Sequence, residues 1–471
     1  MKIIDQIYIN GAFVKPTGTA TFDLISPTTN QLLGRVTLGN EADTHQAITA
    51  AKAAFPSFSR TTLEERRNYL QRLHDEVMLR MDDLVAASIA EYGAPTQRAL
   101  GSNQLAADSF LHYKKVLEDF PFRKIVGHSE VVLEPLGVVG IITPWNANAS
   151  YICNKLATAI AAGCTAVIKP SEMSAMQTQI VTECLHAAGL PPGVFNIVNG
   201  LGDVVGNAIT HHPDVAKISF TGSTQVGKMI ARGAVDTMKR VTLELGGKSA
   251  NIILEDADFS KAIPMAVAAC FMNNGQACIA GSRLLIPEQR LEETKTLLKA
   301  AVEQVKVGDP AADSTTLGPL VSRKQYERVQ QYIQLGITQG AAVLTGGIGH
   351  PEGLEAGNFV KPTVFTGVTR DMRIANEEIF GPVLSVITYK TEEEAIDIAN
   401  DTVYGLQAYV SSSDEKHART VADKIVAGRV LINSLNHDPM APFGGFKQSG
   451  IGREYGVYGL EEYLEPKTII V

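Results

Sequence analysis

From Gly137 onward, short apolar runs alternate with segments of helical length: Val138 to Thr143, Ala166 to Lys169, Val194 to Val198, Ala216 to Thr221 and Val241 to Leu245 read as strands. Parallel neighbours need crossover connections, so this spacing restricts the fold to an α/β class with a mostly parallel sheet. Ligands of such sheets gather at the C-terminal strand ends. Trp145-Asn146, Lys169-Pro170-Ser171-Glu172, Gly200-Leu201-Gly202, Gly222-Ser223-Thr224 and Glu244-Leu245-Gly246-Gly247 each fall just past one of these runs. Five polar or glycine-rich clusters therefore converge on one sheet edge.

A second alternating stretch runs from about Asn251 to Asn433, with strands expected near Arg283 to Ile286, Val383 to Tyr389 and Leu406 to Val410. A chain of 471 residues exceeds one ordinary core, which fits two Rossmann-type lobes. Upstream, the capping box Thr62-Leu63-Glu64-Glu65 opens a scaffold helix with Leu70, Leu73 and Val77 on one face, stopping near Gly93 and Pro95. Phe120 to Val126, Gly127 and then Val131 to Leu133 read as a hairpin arm. An isolated apolar hairpin is unstable, so the arm is expected to pair elsewhere, with another subunit or with the tail Lys467 to Val471. The expected division is 1–116 with 136–246 as a cofactor-binding domain, 247–447 as a catalytic domain, and 117–135 with 460–471 as an oligomerisation arm and tail.

A net charge of -8 and no clustered Lys and Arg argue against nucleic acid as a partner. Five cysteines without a CxxC spacing point to free thiols in a reducing compartment, with no disulfide framework and no metal site, so the cytoplasm is the expected location. Pro135 to Asn154 and Ala262 to Ser282 are uncharged and long enough to span a bilayer, but their Pro, Asn and Gln content is costly in lipid. No membrane association is expected.

Gly222-Ser223-Thr224-Gln225-Val226-Gly227-Lys228 matches the first seven positions of a P-loop, but Met229 stands where the magnesium-binding hydroxyl belongs. Gly200 to Gly206 has one residue too many for a dinucleotide fingerprint and, taken alone, is a turn before a helix. Glu244 and Cys278 form the more telling pair. A soft nucleophile and a carboxylate base, both next to glycines that let backbone approach a ligand, suit covalent catalysis followed by hydrolysis.

Seven runs in order carry a family resemblance: Thr143-Pro144-Trp145-Asn146, Ile168-Lys169-Pro170-Ser171-Glu172, Phe220-Thr221-Gly222-Ser223-Thr224, Leu243-Glu244-Leu245-Gly246-Gly247-Lys248, Gly275-Gln276-Ala277-Cys278, Glu377-Glu378-Ile379-Phe380-Gly381-Pro382-Val383, and Pro442-Phe443-Gly444-Gly445-Phe446-Lys447-Gln448-Ser449-Gly450. Over essentially its whole length the chain resembles the aldehyde dehydrogenase superfamily. The resemblance implies NAD(P)-dependent, nonphosphorylating oxidation of an aldehyde to a carboxylic acid, on a dinucleotide fold without the usual GxGxxG. It implies Cys278 as nucleophile, Asn146 with the backbone N–H of Cys278 as oxyanion donors, and Glu244 as the base that activates water on the thioester. Relatives that pass the acyl group to coenzyme A lack that carboxylate. Lys169 and Glu172 are implied at the adenosine ribose, and a carboxylate there leans towards NAD over NADP. The remaining implied cofactor contacts are Ile142, Thr143, Pro144 and Trp145, Ser171, Gly202 and Gly206, Phe220, Thr221, Gly222, Ser223 and Val226, Leu245 and Gly246, and Glu378 with Phe380. A homodimer or homotetramer is expected.

Each residue also has a plainer role: Cys278 as a small buried hydrophobe, Asn146 as a turn residue, Glu244 as a strand-end carboxylate, Ser171 and Glu172 as a helix cap. Cys153, Cys164, Cys184 and Cys270 keep that plain reading. Ala147, Ala277 and Ile279 place no bulky aromatic beside the thiol, so a broad aliphatic or aromatic aldehyde is expected as substrate. The loop Asn433 to Met440 is expected as the outer tunnel wall, where His437 and Asp438 add polarity, although solvated loop residues are commoner. A cofactor-independent cysteine esterase and a non-catalytic structural protein on the same fold are the alternatives.

Overall fold

The five strands expected after Gly137 form as Val138–Ile142, Thr165–Lys169, Phe195–Ile197, Val215–Thr221 and Arg240–Glu244 in a computed structural model that describes residues 1–470. Val471, the end of the expected tail, lies outside the described residues. The first three strands are buried at every position, which is why they read as unbroken apolar runs rather than alternating ones. Across the sheet the order is Arg240–Glu244, Val215–Thr221, Val138–Ile142, Thr165–Lys169, Phe195–Ile197, all parallel. The chain builds outward from Val138–Ile142 on one side and then returns to its other side at Val215–Thr221. That reversal opens a crevice between the two strand ends.

Antiparallel strands close the edges: Ile7–Ile9 with Ala12–Val14 on one side and Gly450–Ile451 on the other. The chain thus comes back to the first lobe after residue 447. Thr62 caps the helix Leu63–Leu79 by the expected reciprocal bonds with Glu65, and Leu70, Leu73 and Val77 enter the main core with Phe110, Ile152 and Leu156. The helical stretch expected to run to Gly93 is two helices, Leu63–Leu79 and Met81–Tyr92, broken at Arg80. Arg80 leaves helical geometry there while its guanidinium holds Asp83 and Glu183. Gly93 ends the second helix in the left-handed conformation a glycine tolerates.

The second lobe is a seven-stranded sheet in the order Ala342–Thr345, Thr363–Thr366, Val383–Tyr389, Arg283–Pro287, Ala250–Ile253, Gln407–Ser411, Arg429–Ile432, with only the first strand antiparallel. Its functional edge is the reverse of the first lobe's. Cys278 precedes Arg283, Glu378 and Phe380 precede Val383, and Gly246 and Gly247 precede Ala250, so here the N-terminal strand ends face the crevice. The arm is a three-stranded antiparallel sheet of Arg123–Val126, Ser129–Pro135 and Leu464–Ile469, in which Lys467 lies opposite Val132. The tail therefore pairs with the arm as expected, from Leu464 rather than Lys467. Among the described residues, no helix is long and apolar enough to cross a membrane.

Candidate active site

Where the C-terminal edge of the first sheet meets the N-terminal edge of the second lies a cavity of about 510 Å³. Pro144, Trp145, Asn146, Thr221, Gly222, Ser223, Leu245, Gly246, Cys278, Glu378 and Phe380 line it, bringing together residues spread over more than half of the chain. Ser223 caps the helix Thr224–Val235 by accepting from the Val226 N–H, so the positive end of that helix opens onto the cavity. Gly246 packs so closely on the Glu378 carboxyl that a Cβ would overlap it. These glycines and the helix end form a cradle that fits the pyrophosphate and ribose of a dinucleotide.

The thiol loop is held by an unusual turn. Asn273, Asn274 and Gly275 are all left-handed, and a side chain at Gly275 would collide with the backbone of Gly381 and Pro382. Side chains hold the turn in place. Tyr92 Oη donates to the Asn273 carbonyl at 2.8 Å, Asn274 Nδ2 donates to the Gly93 and Pro319 carbonyls, and Gln276 Oε1 accepts from the Val321 N–H. Gly247 leaves no room for a Cβ against the Cys278 carbonyl, which seats the Glu244 motif on the thiol loop. Asn146 Nδ2 donates to the Gln276 carbonyl at 2.9 Å, two residues before the thiol, and its second N–H is free for a ligand. Burial first, then the charges of Glu378 and Glu244, push the Cys278 thiol up to about 12, so the resting thiol is protonated.

Glu244 ends its strand fully buried, with neither carboxylate oxygen hydrogen-bonded. It does not line the cavity. Its Oε1 lies against Gly444, and behind it Lys155 Nζ pairs with Glu454 and donates to Ser219 Oγ at 3.0 Å. Burial, reinforced by Glu454 and opposed by Lys155, raises the Glu244 carboxyl well above the usual carboxylate range. A buried, unpaired carboxyl is costly to fold around, and such groups concentrate at functional sites.

Lys169 and Glu172 form an ion pair of 3.2 Å at the next strand end, and Ser171 caps the short helix there. Ile142, Thr143 and Phe220 stand at the strand ends and Val226 is exposed in the first turn of the helix Thr224–Val235, none of them lining the cavity, and the Thr143 N–H bonds the Lys169 carbonyl. Gly202 and Gly206 bound a π-helical turn that runs into Asn207–His211, outside the cavity. Sequence reasoning missed Tyr151, Gln325, Arg328, Tyr332 and Tyr404, which also line the cavity, as well as the Lys155–Glu454 pair. Arg328 donates to the Glu378 carbonyl and Gln325 to the Phe380 carbonyl, so the helix Arg323–Thr338 fixes that loop. Nothing in the local sequence marks the pair, since Lys155 follows Asn154 and Glu454 follows Arg453.

A family model described as the aldehyde dehydrogenase family matches residues 13–469. The chain is 44% identical over 472 residues to 3-succinoylsemialdehyde-pyridine dehydrogenase of a Pseudomonas species, covering 100% of this chain and 99% of that one. Aldehyde dehydrogenase C of Pseudomonas syringae, solved in complex with NAD+ and octanal, superposes with a TM-score of 0.98 at 45% identity, over 99% of this chain and 96% of its own. Aldehyde dehydrogenase of Mycobacterium tuberculosis, complexed with NAD+, gives 0.97 at 38% identity, over 100% and 98%. Since fold, site layout and sequence agree along nearly the full length, the chain belongs to the aldehyde dehydrogenase family.

Proposed function

We propose that this protein oxidises a broad range of aliphatic or aromatic aldehydes to carboxylic acids with NAD as acceptor, using Cys278 as nucleophile and Glu244 as the base for hydrolysis. The observation that carries this reading is a thiol lining a cradle that fits a dinucleotide, with a buried, unpaired carboxyl close enough behind it for its charge to act on the thiol. The Cys278 sulfur bonds the carbonyl carbon while its proton leaves to solvent or base, and the oxygen becomes an oxyanion within reach of the free Asn146 N–H. A dinucleotide held in the cradle of Gly222, Ser223 and Gly246 would supply the hydride acceptor. Cys278 then holds a thioester. Ionised Glu244 takes a proton from water, the water oxygen bonds the acyl carbon, and the C–S bond breaks to release acid and restore the sulfur.

Absorbance at the NADH band with an aldehyde panel, run with NAD and NADP in parallel, tests the reading. Ester cleavage without NADH from any aldehyde would favour a cysteine esterase instead. Asn146→Ala is expected to lower kcat by about 10²- to 10³-fold, the usual effect of deleting one oxyanion donor. An effect on KM alone would remove Asn146 from that role.

NAD is favoured over NADP because the partly buried Glu172 carboxylate, paired to Lys169, would repel a 2'-phosphate. The relatives solved with NAD+ support the same choice. Glu172→Ala should raise the NADP-to-NAD ratio of kcat/KM by about tenfold, equivalent to roughly 1.4 kcal/mol of relieved repulsion. An unchanged ratio would take Glu172 out of cofactor choice.

Assembly into a homodimer or homotetramer is supported by exposed apolar side chains on the arm, Ile125 and Ile470, and on the helix Thr224–Val235 and its end, Met229 and Met238. Light scattering on the purified chain reads the stoichiometry.

A further inference from the structure

Asn146 follows a strand of the first lobe and Cys278 precedes a strand of the second, so the alignment of donor and thiol depends on bonds that cross the crevice. One is the bond from Asn146 Nδ2 to the Gln276 carbonyl. Asn273 supplies two more: its Nδ2 donates to the main-chain carbonyl of Asn146 at 2.8 Å and to the Gln276 carbonyl at 3.2 Å. Both protons of the Asn273 amide are thereby used, and both lone pairs of the Gln276 carbonyl are filled, one from each asparagine. Asn146 is held by its side chain and by its backbone at once. The turn itself is held by other atoms, because the Asn273 carbonyl takes the Tyr92 hydroxyl, which in turn accepts from Gln276 Nε2 at 3.1 Å.

The Asn273 side chain has a hold of its own. Asn273 is buried with φ near +54°, a left-handed conformation that asparagine tolerates. Its amide oxygen accepts from Arg98 Nε at 3.1 Å. A guanidinium carries donors only, so Arg98 can meet only the oxygen of this amide, which turns the nitrogen towards the two carbonyls. Arg98 is exposed on the helix Thr96–Asp119 of the first lobe. The chain of bonds therefore starts at the surface of the first lobe, passes through the thiol loop of the second, and returns to the first at Asn146.

Resting on the dehydrogenase reading above, we infer that Asn273, its amide oriented by Arg98, is a positioning residue that aligns the oxyanion donor Asn146 with the thiol loop. Without that amide the Asn146 carbonyl loses the donor that Asn273 supplies, and the loop shifts to recover one. Misplacement by about 1 Å is enough to slow a reaction up to about 10²-fold. Alkylation of Cys278 by iodoacetamide forms no oxyanion, so it reads the access and reactivity of the thiol apart from this alignment.

The test measures single-turnover NADH formation from an aldehyde and iodoacetamide alkylation of Cys278 in parallel. Asn273→Gly keeps a residue suited to the left-handed backbone and should slow single-turnover NADH formation by about 10- to 100-fold. Its alkylation rate should stay within about threefold of wild type, and NAD should still quench Trp145. In an Asn146→Ala background the same substitution should cost less than about threefold, since its effect passes through Asn146. Arg98→Leu should slow NADH formation by about three- to tenfold, and Arg98→Lys, which keeps a donor, should restore most of it. Equal losses of NADH formation and alkylation, or losses that add to those of Asn146→Ala, would make Asn273 a brace for the thiol loop and overturn this inference alone. Should Asn273→Gly fail to fold, the Arg98 pair decides, and a wild-type rate in Arg98→Leu would overturn it equally. No NADH from any aldehyde in wild type would sink the reading beneath it as well.

Discussion

Cys278→Ala is expected to lower aldehyde-dependent NADH formation by at least about 10⁴-fold, because no other group in the cavity can form the covalent adduct. Cys153, Cys164, Cys184 and Cys270 are all fully buried in the hydrophobic cores, where desolvation raises their thiols, and none of them lines the cavity. The substitution removes one sulfur and leaves the supporting contacts in place, since Gly247 and Asn146 engage the backbone of this loop rather than the thiol. NAD binding should therefore survive. Trp145 is the single tryptophan of the chain and lines the cavity, so quenching of its fluorescence by NAD measures binding directly. A variant that still turns over within tenfold of wild type, or that loses fluorescence quenching along with turnover, would take the nucleophile's role away from Cys278.

The first lobe was legible because its strands are buried on both faces and leave their polar residues at one end. Val138 to Thr143 and Ala216 to Thr221 could be read as strands, and the clusters after them as site, by the same rule. That rule gives the wrong edge for the second lobe, where Cys278, Glu378 and Phe380 stand before their strands. Sequence periodicity marks a strand without saying which end faces a ligand; the resemblance supplied what periodicity could not. The turn at Asn273 to Gln276 was illegible for another reason. Tyr92, Gly93, Pro319 and Val321, which hold it, are distant in the chain, and hydrogen bonds from a tyrosine or to a carbonyl leave no local pattern. Gln325 and Arg328 were missed likewise, since they serve the site by bonding carbonyls of the 378–380 loop from a helix whose own signature is amphipathic. The arm was legible as a hairpin because Val131 to Leu133 follows Gly127 as a run too short to fold alone, whereas the third strand was read only from Lys467 because Glu465 and Pro466 interrupt its start.

Glu244→Gln should separate the two half-reactions: a burst of NADH close to one per active site, followed by steady turnover about 10²- to 10⁴-fold below wild type. The amide keeps the shape of the carboxyl but cannot accept the proton of the attacking water, so the thioester accumulates on Cys278. In wild type the same step carries a pH signature. Burial and the nearby Glu454 raise the Glu244 carboxyl, so it is protonated at the low end of the working range, and only its ionised form is a base. Deacylation should rise as pH increases through this elevated value and then level off, and the variant's residual rate should lack that limb. The stability linkage runs the opposite way. The folded state holds the Glu244 proton to higher pH than the unfolded chain does, so the stability associated with the neutral carboxyl is lost as pH rises above the unfolded value. Glu244→Gln removes that loss, and its Tm should equal or exceed that of wild type, by a margin that widens with pH. A variant with a low Tm would have lost activity by unfolding, and one with an undiminished steady state would not need this carboxylate. A raised Tm together with a stalled burst would mean that wild type keeps a destabilising carboxyl in its interior because hydrolysis requires it.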